Sequence, residues 1–266
     1  MALPKPVLAL VHGWGMNARV FDALVELLEA DFDVRALDLP GHGGRDAFAE
    51  NTLQSWADDL AQQLPDTATL LGWSLGGQVA MRAALDHPHK IARLVLLAST
   101  PKFVATEDWT RGMALADLEE FGTALKADPQ ATLLRFLSLQ TRGMAGHTTP
   151  RGIEPVEGRS SLGGQKALLQ QLRQTLLAVP AARSEALAGG LAMLRDIDLR
   201  AELPRLTQPT LVLHGALDTL TPLAAGEWLA ETLPNAQYTA LARAAHAPHL
   251  SHAEDVVAAI GRFAHD

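Results

Sequence analysis

The chain has 266 residues, enough to bury one sizeable core, and its 48% hydrophobic and 20% charged residues exclude a disordered or fibrous class. It contains no cysteine, which excludes disulfides, thiolate metal sites and a cysteine nucleophile. Its formal net charge of −8 argues against nucleic acid as the main partner.

Short apolar runs alternate with helical patterns in the first hundred residues. Strands are predicted at 7–11, 34–37, 69–72 and 91–98, and the apolar spacing predicts helices between them. Alternation of this kind predicts an α/β fold with a mostly parallel central sheet covered by helices on both faces. No apolar run is long enough for a membrane span, and none resembles a signal peptide, so we expect a soluble cytoplasmic protein.

The strand signal stops after residue 100 and a basic helical segment follows. Its helical stripes contain Leu115, Leu118, Phe121 and Leu125, then Leu133, Leu134, Phe136 and Leu137, and then Leu168, Leu169, Leu172, Leu176 and Leu177. Residues 143–164 are rich in Gly, Pro, Thr and Ser, which predicts a loop. Residues 101–195 carry a net charge of +2, whereas the rest of the chain carries −10.

Strands resume at 210–214 and 237–241, with helices predicted near 224–233 and 255–263. The pattern therefore predicts one α/β core formed by residues 1–100 and 196–266. A helical cap, residues 101–195, is inserted into it.

A candidate nucleophile follows the third predicted strand, in the segment Gly72-Trp73-Ser74-Leu75-Gly76-Gly77. A serine between a strand and a helix in a G-x-S-x-G pattern is typical of the strained turn that presents the nucleophile in α/β hydrolases. The helix N-terminus behind it favours a developing negative charge. A glycine-rich turn with an incidental serine is the alternative.

Serine needs a base, and His246 is our candidate because it comes directly after the last predicted strand. His12 is better suited to shaping a loop, and we expect His214 to pack in the interior. A metal site formed by His246, His249 and His252 is a minor alternative, since no carboxylate completes it locally. We predict no metal and no organic cofactor.

Asp218 follows the fifth predicted strand and is the candidate partner for the imidazole. The order Ser74, Asp218, His246 is that of α/β hydrolases, and all three residues are predicted at the carboxyl ends of strands. The backbone N–H groups of Leu75 and Trp14 are the predicted oxyanion donors.

Several segments together resemble the pimeloyl-acyl-carrier-protein methyl ester esterases of biotin synthesis, over nearly the whole chain. They are His12-Gly13-Trp14-Gly15, Asp38-Leu39-Pro40-Gly41-His42-Gly43, the Ser74 turn, Arg135-Phe136-Leu137-Ser138-Leu139-Gln140-Thr141, Gly189-Gly190-Leu191, Asp198-Leu199-Arg200 and Ala244-Ala245-His246-Ala247-Pro248. His249 stands where an aromatic residue is usual in the family.

The resemblance implies a four-helix cap over the active site and hydrolysis of the methyl ester of a pimeloyl chain tethered to acyl carrier protein. It implies that Phe136, Leu137, Ser138, Leu139 and Gln140 line the acyl channel beside Trp14, Ser74, Leu75 and His246. A carrier protein is strongly acidic, so the basic cap suits docking, with Arg135 and Arg142 as first candidates and Arg159 and Arg173 as weaker ones. We expect a monomer with no nucleic-acid or membrane partner.

Three other functions remain open on the same evidence. A broad short-chain carboxylesterase and a C–C hydrolase use the same scaffold and the same three residues. A non-catalytic binding protein is a different class, because a fold does not fix its function. Dehalogenases and epoxide hydrolases usually place Asp where this chain has Ser74.

Overall fold

Six parallel strands form the centre of the protein in the computed structural model, which describes residues 4–141 and 161–265, without the side chains of 161–164 and 265. The strands are β1 (Val7–Val11), β2 (Asp33–Leu37), β3 (Ala68–Trp73), β4 (Ile91–Leu97), β5 (Thr210–Gly215) and β6 (Ala236–Leu241). All six strands were predicted from the sequence, each to within one residue at both ends.

The strand order in the sheet is β2-β1-β3-β4-β5-β6, with every neighbouring pair parallel. β1 lies between β2 and β3. The strand order therefore reverses at β1, with β2 on one side of it and β3 to β6 on the other. In parallel sheets a reversal of this kind opens a crevice at the carboxyl ends of the strands, where ligands bind. The predicted fold class is confirmed.

Helices cover the sheet, and their sequences explain where several of them begin. Within the described residues the helices are α1 (Asp22–Leu28), α2 (Leu53–Gln63), α3 (Leu75–Asp86), α4 (Leu115–Ala127), α5 (Pro129–Gln140), α6 (Ser161–Leu177), α7 (Ser184–Asp196), α8 (Leu223–Thr232), α9 (Pro248–Ser251) and α10 (Ala253–His265). Thr52 and Ser55 form a capping box at the start of α2. Asp128 caps α5 by accepting from the Ala131 N–H at 2.9 Å.

Helices α4 to α7 come between β4 and β5, where the sequence predicts an inserted cap. Two contacts join the points at which the chain leaves and returns: the Leu199 N–H donates to the Pro101 carbonyl at 3.0 Å, and Lys102 Nζ lies 3.0 Å from Asp198 Oδ2. The loop predicted at 143–164 is wrong at its end, because α6 already begins at Ser161. The rest of that segment, 143–160, lies outside the described residues.

The sequence analysis did not predict α7. Its apolar residues Leu187, Leu191 and Leu194 follow helical spacing and are buried, but Gly189 and Gly190 interrupt the pattern and lower the intrinsic helix propensity. Within the part of the chain that the structure describes, no helix is both long and apolar enough to cross a membrane.

Candidate active site

Ser74 occupies the turn between β3 and α3 with a strained backbone, at φ 56° and ψ −121°. A positive φ is rare for a residue with a side chain and persists only where neighbours hold it. Here the Ser74 N–H donates to the Leu97 carbonyl at 3.0 Å, and its carbonyl accepts from Ser99 Oγ at 2.9 Å. Gly76 allows the close approach behind the turn, since a Cβ there would lie 2.5 Å from the His12 carbonyl oxygen.

The structure brings Ser74, His246 and Asp218 into one hydrogen-bonded series. His246 Nε2 lies 2.9 Å from Ser74 Oγ, and His246 Nδ1 lies 2.8 Å from Asp218 Oδ2. Because a carboxylate only accepts, Nδ1 carries the proton and Nε2 is free to accept from the serine hydroxyl. That is the tautomer a general base for Ser74 requires. Ser74 retains 8% exposure, whereas the imidazole is buried.

Two backbone contacts fix the His246 loop in addition to Asp218. Trp73 Nε1 donates to the His246 carbonyl at 2.8 Å, and the His246 N–H donates to the Gln140 carbonyl at 3.3 Å. The second bond joins the last residue of α5 to the loop that carries the His246 imidazole. The cap therefore contacts the core at the loop of the candidate general base.

Asp218 is buried and its oxygens are fully hydrogen-bonded. Oδ1 accepts the backbone N–H groups of Leu220 and Thr221, each at 2.9 Å, in an Asx turn. Burial by itself raises the pKa of the Asp218 carboxyl, but the charge interaction and hydrogen bond with His246 help to outweigh it, and the pKa lies below its ordinary value. The group therefore stays ionised beside the imidazole.

His12 shapes the loop that carries the predicted oxyanion donor Trp14. Leu39 N–H donates to His12 Nε2 at 3.1 Å, so the proton is on Nδ1, which donates to the Gly13 carbonyl at 2.8 Å. A trans peptide points its C=O and N–H in opposite directions, so the Trp14 N–H faces away from His12. Gly13 touches the nucleophile, since a Cβ there would lie 3.1 Å from Ser74 Cβ.

Leu75 is the first residue of α3, in the turn where helix N–H groups have no intrahelical acceptor. The Leu75 and Trp14 N–H groups remain the predicted oxyanion donors, one at the start of α3 and the other in the loop after β1. Burial lowers the pKa of His12 to about 4, so this imidazole is neutral at physiological pH.

The five residues of α5 predicted to line an acyl channel fall on different sides of the helix. Phe136, Leu137 and Gln140 are buried, and the Phe136 ring meets the Trp14 ring edge-on at 4.8 Å. Leu139 is half-buried and borders a cavity of about 230 Å³ that is also lined by Leu220. Ser138 is exposed and its hydroxyl donates to the Arg135 carbonyl at 2.6 Å, so it faces away from this interior.

The predicted docking arginines differ in their surroundings. Arg135 pairs with Glu120 at 2.8 Å and lies over the Phe121 ring at 5.0 Å. Arg173 is exposed on α6 and has no ion pair among the described residues. Arg142 and Arg159 lie outside the described residues.

The other histidines near the site do not converge on a metal. The His249 ring packs against Trp73 at 4.4 Å, and His252 Nδ1 lies 2.8 Å from Ser251 Oγ. In residues 4–141 and 161–265, no three His, Asp or Glu side chains are grouped so that they could hold a metal ion. His214 is buried, as expected, with Nε2 at 2.7 Å from the Thr221 carbonyl.

Sequence reasoning missed two side chains that touch this site, Ser99 and Thr221. Ser99 holds the Ser74 carbonyl, and Thr221 Oγ1 lies 2.7 Å from Asp218 Oδ2. A signal for Thr221 was present, because a residue three positions after an Asx-turn aspartate lies next to its carboxylate. Nothing comparable marks Ser99, which tertiary packing alone places there.

Comparison with known proteins places this geometry in a family. The model of the alpha/beta hydrolase fold matches residues 6–253. A pimeloyl-[acyl-carrier protein] methyl ester esterase of Aromatoleum aromaticum is 43% identical over 256 residues, covering 94% of this chain and 95% of the relative. The esterase of the same name from Nitrosomonas europaea is 38% identical, covering 95% and 93%.

Solved structures show the same fold. The esterase EaEST from Exiguobacterium antarcticum has a TM-score of 0.83 at 23% identity, and the match covers 99% of this chain and 93% of the EaEST chain. A hydrolase from Pseudomonas aeruginosa PA01 has a TM-score of 0.76 at 29% identity, covering 97% and 89%.

Proposed function

Because this chain belongs to the family of pimeloyl-[acyl-carrier protein] methyl ester esterases, on the α/β-hydrolase fold, we propose that it releases methanol from a pimeloyl methyl ester carried by acyl carrier protein. The chain is a carboxylic-ester hydrolase, as the sequence predicted. The observation that carries the proposed mechanism is the hydrogen-bonded series from Ser74 through His246 to Asp218.

The proposed reaction has two steps. His246 takes the Ser74 proton as Oγ attacks the ester carbonyl, while the N–H groups of Leu75 and Trp14 stabilise the oxyanion. His246 then protonates the departing methanol, leaving an acyl-enzyme. Water, deprotonated by the same imidazole, attacks the acyl-enzyme and frees the carboxylate, and the proton returns to Ser74 Oγ.

The Ser74→Ala variant tests this proposal. We expect at least a roughly 10³-fold loss of methanol release from the carrier-bound ester, because the acyl-enzyme cannot form. The same variant is expected to fail to rescue a biotin-requiring strain that lacks its own esterase, where the wild-type chain succeeds. Ser184→Ala, at an exposed serine, is the matched control and should behave as wild type.

Two measurements separate the alternatives. A short-chain carboxylesterase would turn over p-nitrophenyl esters at least as well as the carrier-bound substrate, which would contradict the proposed substrate. A non-catalytic binding protein would resist labelling by a fluorophosphonate probe, whereas our mechanism predicts labelling that is lost in Ser74→Ala and kept in Ser184→Ala.

For the carrier protein, we propose docking on the basic face of the cap, with Arg173 contributing more than Arg135. Residues 161–195 hold four basic residues, Lys166, Arg173, Arg183 and Arg195, against a single acidic one. Arg183 pairs with Asp46 and Arg195 with Asp196, which leaves Lys166 and Arg173 without an ion pair among the described residues. Arg135 is already neutralised by Glu120.

A charge-reversal experiment tests the docking proposal. Arg173→Glu should raise KM for the carrier-bound substrate about 3- to 10-fold at low salt, because steering by opposite charge is lost, and leave p-nitrophenyl ester turnover unchanged. Arg262→Glu, on the exposed side of α10, is the matched control. Equal effects of the two variants would show that net charge, and not this face, matters.

A further inference from the structure

Thr221 follows Asp218 by three residues, and its side chain is buried at the centre of the proposed site. The proposed two-step reaction assigns it no role. Its hydroxyl oxygen lies 2.7 Å from Asp218 Oδ2 and 3.2 Å from both the Ala98 carbonyl and His246 Nδ1. It lies 3.5 Å from His214 Nε2. A hydroxyl has one proton to donate, so its direction has to be assigned among these neighbours.

Two of the four neighbours are themselves donors. His214 Nε2 lies 2.7 Å from the Thr221 carbonyl, which can only accept, so this nitrogen carries a proton. His246 Nδ1 carries a proton for the same reason, because it faces the Asp218 carboxylate at 2.8 Å. The Thr221 proton therefore goes to Asp218 Oδ2 or to the Ala98 carbonyl. The carboxylate is both nearer and charged, and it is the stronger acceptor.

We propose that Thr221 is a positioning residue, whose hydroxyl donates to Asp218 Oδ2 and thereby aims this carboxylate at His246. The proposal rests on the mechanism given above for Ser74, His246 and Asp218, but not on the identity of the acyl chain. With the Thr221 hydroxyl in place, each carboxylate oxygen accepts two hydrogen bonds. Rotation of the carboxylate would break at least one of them.

His214 supports this arrangement from behind. Its Nε2–H holds the Thr221 carbonyl, and its own position is fixed by α8, where a Cβ on Gly226 would lie 2.5 Å from His214 Nδ1. Burial lowers the pKa of His214, so this imidazole holds Thr221 as a neutral donor and adds no charge beside Asp218.

The pair His246–Asp218 meets few other titratable groups, which makes its pH response interpretable. Around it, the described elements contribute His214 from β5, Glu227 from α8 and His249 from α9. Burial lowers the pKa of His249 to about 3, so it stays neutral in the range of an activity assay. After the carboxyl end of β4, the Ala98 carbonyl contacts the Thr221 hydroxyl and the Ser99 hydroxyl contacts the Ser74 carbonyl, and neither group titrates.

Thr221→Val and Thr221→Ser form the test, because valine keeps the shape and serine keeps the hydroxyl. With p-nitrophenyl butyrate as substrate, we expect Thr221→Val to lower kcat about 5- to 20-fold with little change in KM, since one hydrogen bond to a charged group is lost. The carboxylate then has one donor fewer and favours the protonated imidazole more strongly. The acidic limb of the kcat/KM profile should therefore move to higher pH by about half a unit.

The activity of Thr221→Ser distinguishes a role of the Thr221 hydroxyl from a role of its packing alone. Thr221→Ser should restore kcat to within about threefold of wild type and return the acidic limb to its position. The proposal is overturned if Thr221→Val keeps wild-type kcat, if its acidic limb does not move, or if Thr221→Ser is as slow as Thr221→Val. Thermal unfolding checks that the valine variant is folded; if it is not, Thr221→Ala replaces it with the same outcomes.

The substrate separates this test from the proposed function. Hydrolysis of p-nitrophenyl butyrate that survives Ser74→Ala would refute the mechanism itself, independently of Thr221. Failure on the carrier-bound ester alone would refute only the acyl substrate and leave the role of Thr221 standing.

Discussion

At the scale of single residues, the surroundings of His249 do not match its polar chemistry. It is fully buried between Phe21 and Trp73, and within the described chain neither ring nitrogen has a hydrogen-bond partner. An unsatisfied buried polar atom costs free energy. The position therefore lowers stability without contributing a contact that the proposed mechanism uses.

We expect His249→Phe to raise the free energy of unfolding by about 1–2 kcal/mol, because the ring contacts remain and two desolvated nitrogens are removed. Urea denaturation measures the change, and kcat on p-nitrophenyl butyrate should stay within about twofold of wild type. His249→Gln keeps a buried polar group and is the control that should not be stabilised. A loss of stability in the phenylalanine variant would show that the pocket cannot accept the larger ring.

At the scale of elements, α7 fixes the loop that carries Trp14. The Trp14 Nε1–H donates to the Leu187 carbonyl at 2.9 Å, and a Cβ on Gly190 would lie 2.6 Å from Trp14 Cδ1. The helix therefore packs flat against the indole through its glycine. Because Trp14 supplies a proposed oxyanion donor, we expect the position of α7 to affect how well the oxyanion is stabilised.

Two glycine variants of the cap test this contact. Gly190→Ala should lower stability by about 1–3 kcal/mol through overpacking, and lower kcat by displacing Trp14. Gly122→Ala, in α4, meets no atom within 4 Å and should instead stabilise the protein by up to about 1 kcal/mol through helix propensity. Thermal unfolding and ester hydrolysis of both variants provide the comparison. Equal behaviour would mean that α7 does not constrain Trp14.

At the scale of the whole molecule, buried neutral histidines determine how stability responds to acid. Burial lowers the pKa of His12 to about 4, and those of His42 and His249 to about 3, from an ordinary value near 6.5. Each group binds a proton more readily in the unfolded chain than in the folded protein. Their contribution to stability is therefore complete above pH 6.5 and is lost as the pH falls from 6.5 toward these values.

We expect the free energy of unfolding to fall by roughly 1.5–2 kcal/mol per histidine between pH 6.5 and pH 5, since one pH unit corresponds to about 1.4 kcal/mol for each proton taken up. Urea denaturation at the two pH values measures it. His249→Phe should reduce this fall by the share of one histidine, roughly 1.5–2 kcal/mol. The hydrogen bond to Arg200 lowers the pKa of the Asp198 carboxyl, so the stability that this group contributes is fully present between pH 6.5 and pH 5 and is lost only below about pH 4. A flat stability profile would contradict the assignment.

The sequence determined the sheet and the chain positions of the three proposed catalytic residues. Apolar strands 5–7 residues long, bounded by turns, mark each strand, and Ser74, Asp218 and His246 each follow one of them. Parallel strands all place their carboxyl ends at one edge, so chain position alone predicts that such residues gather there. For this reason the geometry of the triad required no long-range information beyond the order of the elements.

Tertiary structure decided the contacts that the helical and strand periodicity of the sequence does not predict. Two adjacent glycines give α7 a low helix propensity, and the close approach of Gly190 to Trp14 is a contact that the sequence pattern does not show. Arg135 pairs with Glu120 from a neighbouring helix, Ser138 is exposed, and the Gln140 carbonyl accepts from the His246 N–H. The Asx turn brings Thr221 to Asp218, but the contacts of Thr221 with the Ala98 carbonyl and with His214 depend on how the strands pack. Each of these contacts either joins residues that are distant in sequence or depends on the direction of a side chain. Only the tertiary structure specifies such contacts.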